Sequence, residues 1–174
     1  MRCNRRTRAG RCPNTPATSS SWRHRHAGSP RRRRFVLHLS TTPRRLSAAR
    51  RLVEKTLCGA GVDADLTDSV QLVLSELYGN AVRACGDYVP LVAEVEVEPD
   101  SAPGVGAGAP GAVWVRLHDP YRTARPRRSG VRLDDPEAES GRGLPIVDLL
   151  APGWDVTATP VGKQVRCRVP VPGR

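Results

Sequence analysis

Glu76 and Asn80, in the run Glu76-Leu-Tyr-Gly-Asn80, are the first residues of this chain whose types and spacing point to chemistry. On a helix they stand one turn apart on one face, where a hard carbonyl oxygen can ligate a divalent cation and a neighbouring carboxylate can take a proton. Two more segments follow in order. Asp119 closes an alternating run and can accept a hydrogen bond from an exocyclic amine. Ser140-Gly-Arg-Gly-Leu144 then places glycines where a helix start would offer backbone N–H groups to phosphates. Alone, each has a plainer reading: an exposed i,i+4 pair, a turn residue before proline, an ordinary helix entry. In combination they describe a nucleotide site.

The elements that must hold these residues are legible from periodicity. A helix from about Asp65 to Ala84 places Val70, Val73, Leu74, Leu77 and Ala81 on one face, with Glu76 and Asn80 at its border. Gly79 costs about 1 kcal/mol relative to alanine in such a helix, so a close approach to the backbone is expected there. Upstream, Phe35-Val-Leu-His-Leu39 reads as a first strand. Thr42-Pro43 then opens a helix carrying Leu46, Ala49, Val53 and Leu57 and ending at Gly59 and Gly61. From Leu91 the period becomes two: Ala93, Val95 and Val97 alternate with Glu94, Glu96 and Glu98, and Val113, Val115 and Leu117 with Trp114, Arg116 and His118. Near the end, Val165, Cys167 and Val169 alternate with Gln164, Arg166 and Arg168, and Gly153–Thr157 makes a partner strand through the turn at Pro160-Val-Gly162. The glutamates of one strand are placed to pair with arginines of others. The expected class is α+β, a two-layer sandwich of a mostly antiparallel mixed sheet with helices on one face.

Composition bounds the function further. At 174 residues and 39% hydrophobic content the chain supports one core. The net charge of +11 invites a nucleic-acid reading, but 11 of the 28 Lys+Arg lie in the first 34 residues, so the remaining 17 balance the 17 Asp+Glu. Basicity belongs to that Arg-rich segment, which lacks the apolar content to order itself and is expected to be disordered, with a folded domain over residues 35–172. A nucleic-acid binder is therefore the weaker reading, and deleting the segment should abolish salt-sensitive DNA binding. Only two lysines, amid abundant Arg, Ala, Gly and Pro, match a GC-rich genome, and an upstream start site is one account of the segment, testable by intact mass. The absence of a signal-like or membrane-length apolar run gives a cytoplasmic expectation. Five cysteines without a C-x-x-C pair read as small hydrophobes or bystanders. Trp114 and Trp154 read as packing residues. The glycine-rich Pro103–Gly111 is a hairpin connection, since no Gly-Lys-Ser/Thr and no helix follow it. Residues 120–142, whose stretch from Pro120 to Ser140 carries five arginines followed by four acids, have the length and position of a lid.

Helix-borne E-x-x-x-N, strand-end Asp, long loop and G-x-G-L resemble the histidine-kinase-like (Bergerat) ATP-binding fold shared with gyrase-type ATPases. Ser75–Arg83 is similar to its N box and Glu139–Leu144 to its glycine box, closest to small anti-sigma-factor serine kinases. Gly162-Lys-Gln-Val165 resembles the closing strand. The resemblance implies ATP and Mg²⁺ as ligands, Asn80 as the metal ligand and Glu76 as catalytic base. It gives Asp119 the adenine amine, and Gly141, Arg142, Gly143 and Leu144 the phosphates. Two departures stand out: Asp119-Pro-Tyr-Arg-Thr123 lacks both glycines of the usual D-x-G-x-G, and Gln164 stands where a threonine near the base is common. A hydrogen bond at the adenine end is expected to be lost or replaced.

The resulting expectation is an ATP-dependent serine/threonine protein kinase acting on a sigma factor or an anti-anti-sigma antagonist, with homodimers frequent in such families. The alternative is a non-catalytic ATP-sensing interaction module, in which nucleotide orders the lid. Retained Glu76 favours the kinase; the altered Asp119 box favours the module. A histidine-kinase catalytic domain would have to act in trans, because no helical hairpin with a phosphoacceptor histidine precedes residue 35.

Overall fold

The computed structural model describes residues 33–100, 109–122 and 143–172. Eight elements follow in the order β1 (Arg33–Ser40), α1 (Pro43–Gly59), α2 (Ala64–Cys85), β2 (Pro90–Pro99), β3 (Pro110–Asp119), α3 (Gly143–Leu150), β4 (Asp155–Thr159) and β5 (Gly162–Pro170). The strands form one sheet in the order β1-β2-β3-β5-β4, antiparallel at every pairing. The helices cover one face, as the period-two strands require.

That inner face is built from the expected alternation. Ala93, Val95, Val113, Val115, Leu117, Val165, Cys167 and Val169 are buried against Val70, Val73, Leu74 and Leu77 of α2. Truncating a fully buried leucine such as Leu74 should cost about 2–5 kcal/mol. The outer face carries the anticipated charge ladder. Arg116 reaches Glu94 at 2.6 Å and Glu96 at 2.8 Å, Arg34 reaches Glu94, and Arg168 reaches Glu98. The Trp114 indole donates to Glu98 at 2.6 Å and lies under the Arg116 guanidinium.

Two strand boundaries differ from expectation, β4 running Asp155–Thr159 where Gly153–Thr157 was expected. The first strand begins at Arg33 rather than Phe35, because Arg34 joins the charge ladder and Arg33 donates to the Gly59 carbonyl. The α1 N-cap is Thr42, as its sequence indicates, but the threonine side chain makes no capping bond. Tyr78 ties down the cap residue itself: its hydroxyl accepts from Thr42 N at 2.6 Å and faces the Ser40 and Thr42 carbonyls at 2.6 and 2.7 Å. Helix α2 starts with the Asp63 carboxylate accepting from Leu66 N and ends at Gly86, whose φ of 78° suits glycine.

Candidate nucleotide site

The middle of α2 supplies the first half of the site. Glu76 and Asn80 are half-buried on the flank of the helix, beside the packed stripe of Leu77 and Ala81. Helix α3 packs against α2 and begins at Gly143. The Glu76 carboxylate lies directly against that glycine: a Cβ there would fall 2.2 Å from Glu76 Oε2. A carboxylate at a helix N-terminus sits in the favourable end of the helix field, where an incoming phosphate would also go. Leu144 turns its side chain into the core, leaving its backbone as the part that a ligand could meet. Gly141 and Arg142 lie outside the described residues, as does the segment expected to be a lid from residue 123 onward.

Asn80 already has a partner. The Arg83 guanidinium, one turn further along α2 and exposed, donates to Asn80 Oδ1. Nδ2 of the same carboxamide is buried and has no hydrogen-bond partner among the described residues. An unsatisfied buried donor costs on the order of 1–3 kcal/mol, so this nitrogen calls for an acceptor oxygen that the described residues do not provide. Arg83 is also what meets Gly79. A Cβ at Gly79 would lie 3.5 Å from the guanidinium, an ordinary contact with the end of a flexible side chain, and not the close backbone approach expected from sequence.

The second half lies where β3 ends and β5 begins, beside Cys85, the last residue of α2. Asp119 is 3% exposed. Its Oδ1 accepts from Lys163 Nζ at 2.7 Å and from Tyr121 N at 2.9 Å, with Cys85 Sγ at 3.9 Å. Lys163 Nζ donates also to the Tyr121 carbonyl at 2.8 Å. Burial, followed by the Asp119 charge, pushes the Cys85 thiol up from its ordinary range, while Lys163 pulls it down. Gly162 fixes this corner: a Cβ there would fall 2.0 Å from the Asp119 carbonyl oxygen, and its φ is 150°.

Lys163 is the site residue that sequence reasoning missed. The register places Asp119 opposite Lys163 and His118 opposite Gln164, so the residue facing the strand-end carboxylate is the lysine. Gln164 shares the outer-face phase of Arg166 and Arg168. The usable signal was the buried alternation of Val165, Cys167 and Val169, which one step back includes Lys163.

A two-layer α+β sandwich, with a carboxylate and a carboxamide on one helix and a glycine-started helix against them, defines the class of ATP-binding domains. The chain belongs to the histidine kinase-like ATPase domain family, whose sequence profile matches residues 39–169. That span contains both halves of the site and reaches from the end of β1 almost to the end of β5. No curated protein matches the chain at a significant level. Among the described residues no helix is long and apolar enough to cross a membrane.

Proposed function

We propose that this ATP-binding regulatory domain is a serine/threonine protein kinase that controls a partner protein in the manner of an anti-sigma factor, the partner being a sigma factor or its antagonist. The observation that carries the reading is the Glu76 carboxylate held against Gly143, one helical turn from Asn80. That arrangement puts a proton acceptor beside the place where a terminal phosphate would meet the start of α3.

The residues fit Mg²⁺ in the way that ion is usually held. Among the described residues no group of three or more His, Cys, Asp or Glu could hold a metal, so the protein would contribute one hard oxygen, from Asn80, and the remaining ligands would be phosphates and water. Bound Mg²⁺ supplies charge neutralisation on the phosphates. Arg83, being exposed, can release Asn80 Oδ1 and turn to the same phosphates, and the orphaned Asn80 Nδ2 can donate to a phosphate oxygen. Glu76 takes the proton of the target hydroxyl as its oxygen bonds to the terminal phosphorus. The bond from that phosphorus to the bridging oxygen breaks, and the electron pair leaves with the diphosphate product.

The test is direct. Mg-ATP affinity should fall at least tenfold in Asn80→Ala, read by calorimetry, whereas unchanged affinity would remove Asn80 from the site. With labelled ATP and a co-purified partner, wild type should transfer label to Ser or Thr and Glu76→Gln should lose about 10²–10⁴-fold in rate while still binding nucleotide. A second reading, an ATP-sensing module without transfer, is favoured by the two protein cations already seated on Asn80 and Asp119. It predicts nucleotide-dependent partner binding with no label transferred.

A further inference from the structure

β1 closes one side of the sheet as an edge strand of eight residues, and among the described residues its outward N–H and C=O groups have no strand partner. Its inner-face side chains Phe35 and Leu39 are only partly buried, and Val36 on the other face is exposed. An edge of this kind is a template for another strand. Beside its Arg33–Phe35 end, against the last turns of α1, lies a groove of about 450 Å³. Phe35, Leu52, Ala60 and Val97 give it apolar walls, Arg33 and Lys55 line it as exposed cations, and none of its lining residues is acidic. Arg34, which also lines it, is engaged by Glu94, whereas Arg33 and Lys55 make no ion pair among the described residues.

An open strand edge beside a pocket bounded by a helix is how sheets take up extended peptides: backbone hydrogen bonds hold the added strand, and the pocket selects among its alternate side chains. Charge narrows the occupant. The chain's own first 32 residues carry nine arginines and no Asp or Glu, so they meet Arg33 and Lys55 as like charge. A second copy fares no better. Antiparallel addition of β1 to another β1 sets the two α1 helices side by side on one face, and each α1 carries five cations with Glu54 as its only acid. We propose that this edge docks an extended acidic segment of a partner protein as a sixth strand, its apolar side chains against Phe35, Leu37 and Leu39 and its carboxylates on Arg33 and Lys55. None of these residues belongs to the nucleotide site, so the edge is open to a partner whether or not nucleotide binds there.

A phage library of random peptides as long as β1, selected at physiological salt against the immobilised full chain, should enrich sequences with net negative charge and apolar residues at alternate positions. The strongest binder is then resynthesised and measured by fluorescence anisotropy. It should bind wild type at least about tenfold tighter than Gly59→Leu or Lys55→Glu. Both positions are exposed, and a Cβ at Gly59 meets nothing within 4 Å, so neither change disturbs the core. Only every second N–H of an added strand faces β1, so of the two alternately N-methylated forms of the peptide one should lose at least about tenfold and the other keep its affinity. No enrichment, enrichment without net negative charge, equal affinity for wild type and both variants, or equal affinity of the two methylated forms overturns the proposal. So does a wild type that sediments as a dimer and becomes a monomer in Gly59→Leu, because a second copy then holds the edge.

Discussion

Asn80 and Asp119, the two residues proposed to meet a nucleotide, each hold a cationic side chain of the protein on Oδ1, and the two encounters differ in depth. Arg83 reaches Asn80 from the solvent side, along one helix, and leaves the amide nitrogen of its partner without a hydrogen bond among the described residues. Lys163 reaches Asp119 inside the fold, across two strands, and ties Tyr121 into the same knot. The exposed contact costs little to break, while the buried one cannot be opened without stranding a charge. The Asn80 half, proposed to meet phosphates, therefore has a removable occupant. The Asp119 half, proposed to meet the base, is part of the scaffold.

Removing each cation puts this contrast to its hardest test. Lys163→Met should destabilise the fold by about 3–5 kcal/mol, because Asp119 stays buried without its counter-charge, and Lys163→Met/Asp119→Leu should regain much of that loss. Arg83→Ala should cost less than about 1 kcal/mol. Urea unfolding of the variants gives both numbers, and equal losses would erase the distinction between the two halves. A smaller effect on stability, with a large one on function, is expected on the phosphate side. Gly143→Ala places a methyl group against the Glu76 carboxylate, which can swing away because it is the far end of a flexible chain. Stability should drop by about 1 kcal/mol or less. Label transfer to a partner should fall by on the order of tenfold or more as the carboxylate leaves its position. Unaltered transfer would separate Glu76 from the chemistry.

The mildest probe reads the charge on the base side through Cys85. Its thiol is raised by burial first and by Asp119 next, with Lys163 acting in the opposite direction. Asp119→Asn removes the raising charge and keeps the lysine, so the thiol should ionise at lower pH and its alkylation at about pH 8 should quicken by on the order of threefold. Mass spectrometry resolves the cysteines, and Cys167 serves as control: burial pushes its thiol up to about 12, so it should stay unmodified in the folded protein. Slower alkylation of Cys85 would contradict the arrangement around Asp119.

How much of this was legible depended on how local each determinant is. The alternation Ala93, Val95, Val97 and its counterpart Val113, Val115, Leu117 specified two strands and their buried faces, since side-chain period is a property of the strand itself. The helix bearing Glu76 and Asn80 was equally plain, and the family profile spans both boxes. Register was not legible. Whether Lys163 or Gln164 faces Asp119 is decided by the pairing of two strands 44 residues apart, and a one-residue slip exchanges them. Arg83 was within reach, three residues after Asn80 on a helix, but an i,i+3 pair reads first as surface decoration.

Tyr78 gives the N-box segment a meaning apart from chemistry. Its hydroxyl rivets α2 to the corner between β1 and α1, and its ring is 2% exposed. The helical turn that bears Glu76 and Asn80 is thus also a joint of the scaffold, with Leu77 and Tyr78 committed to packing and only Gly79 left at liberty. Packing alone therefore asks for Leu77 and Tyr78, whatever the flanking residues do. The two central letters of Glu-Leu-Tyr-Gly-Asn speak for the joint, and the proposed chemistry has to be tested at Glu76 and Asn80.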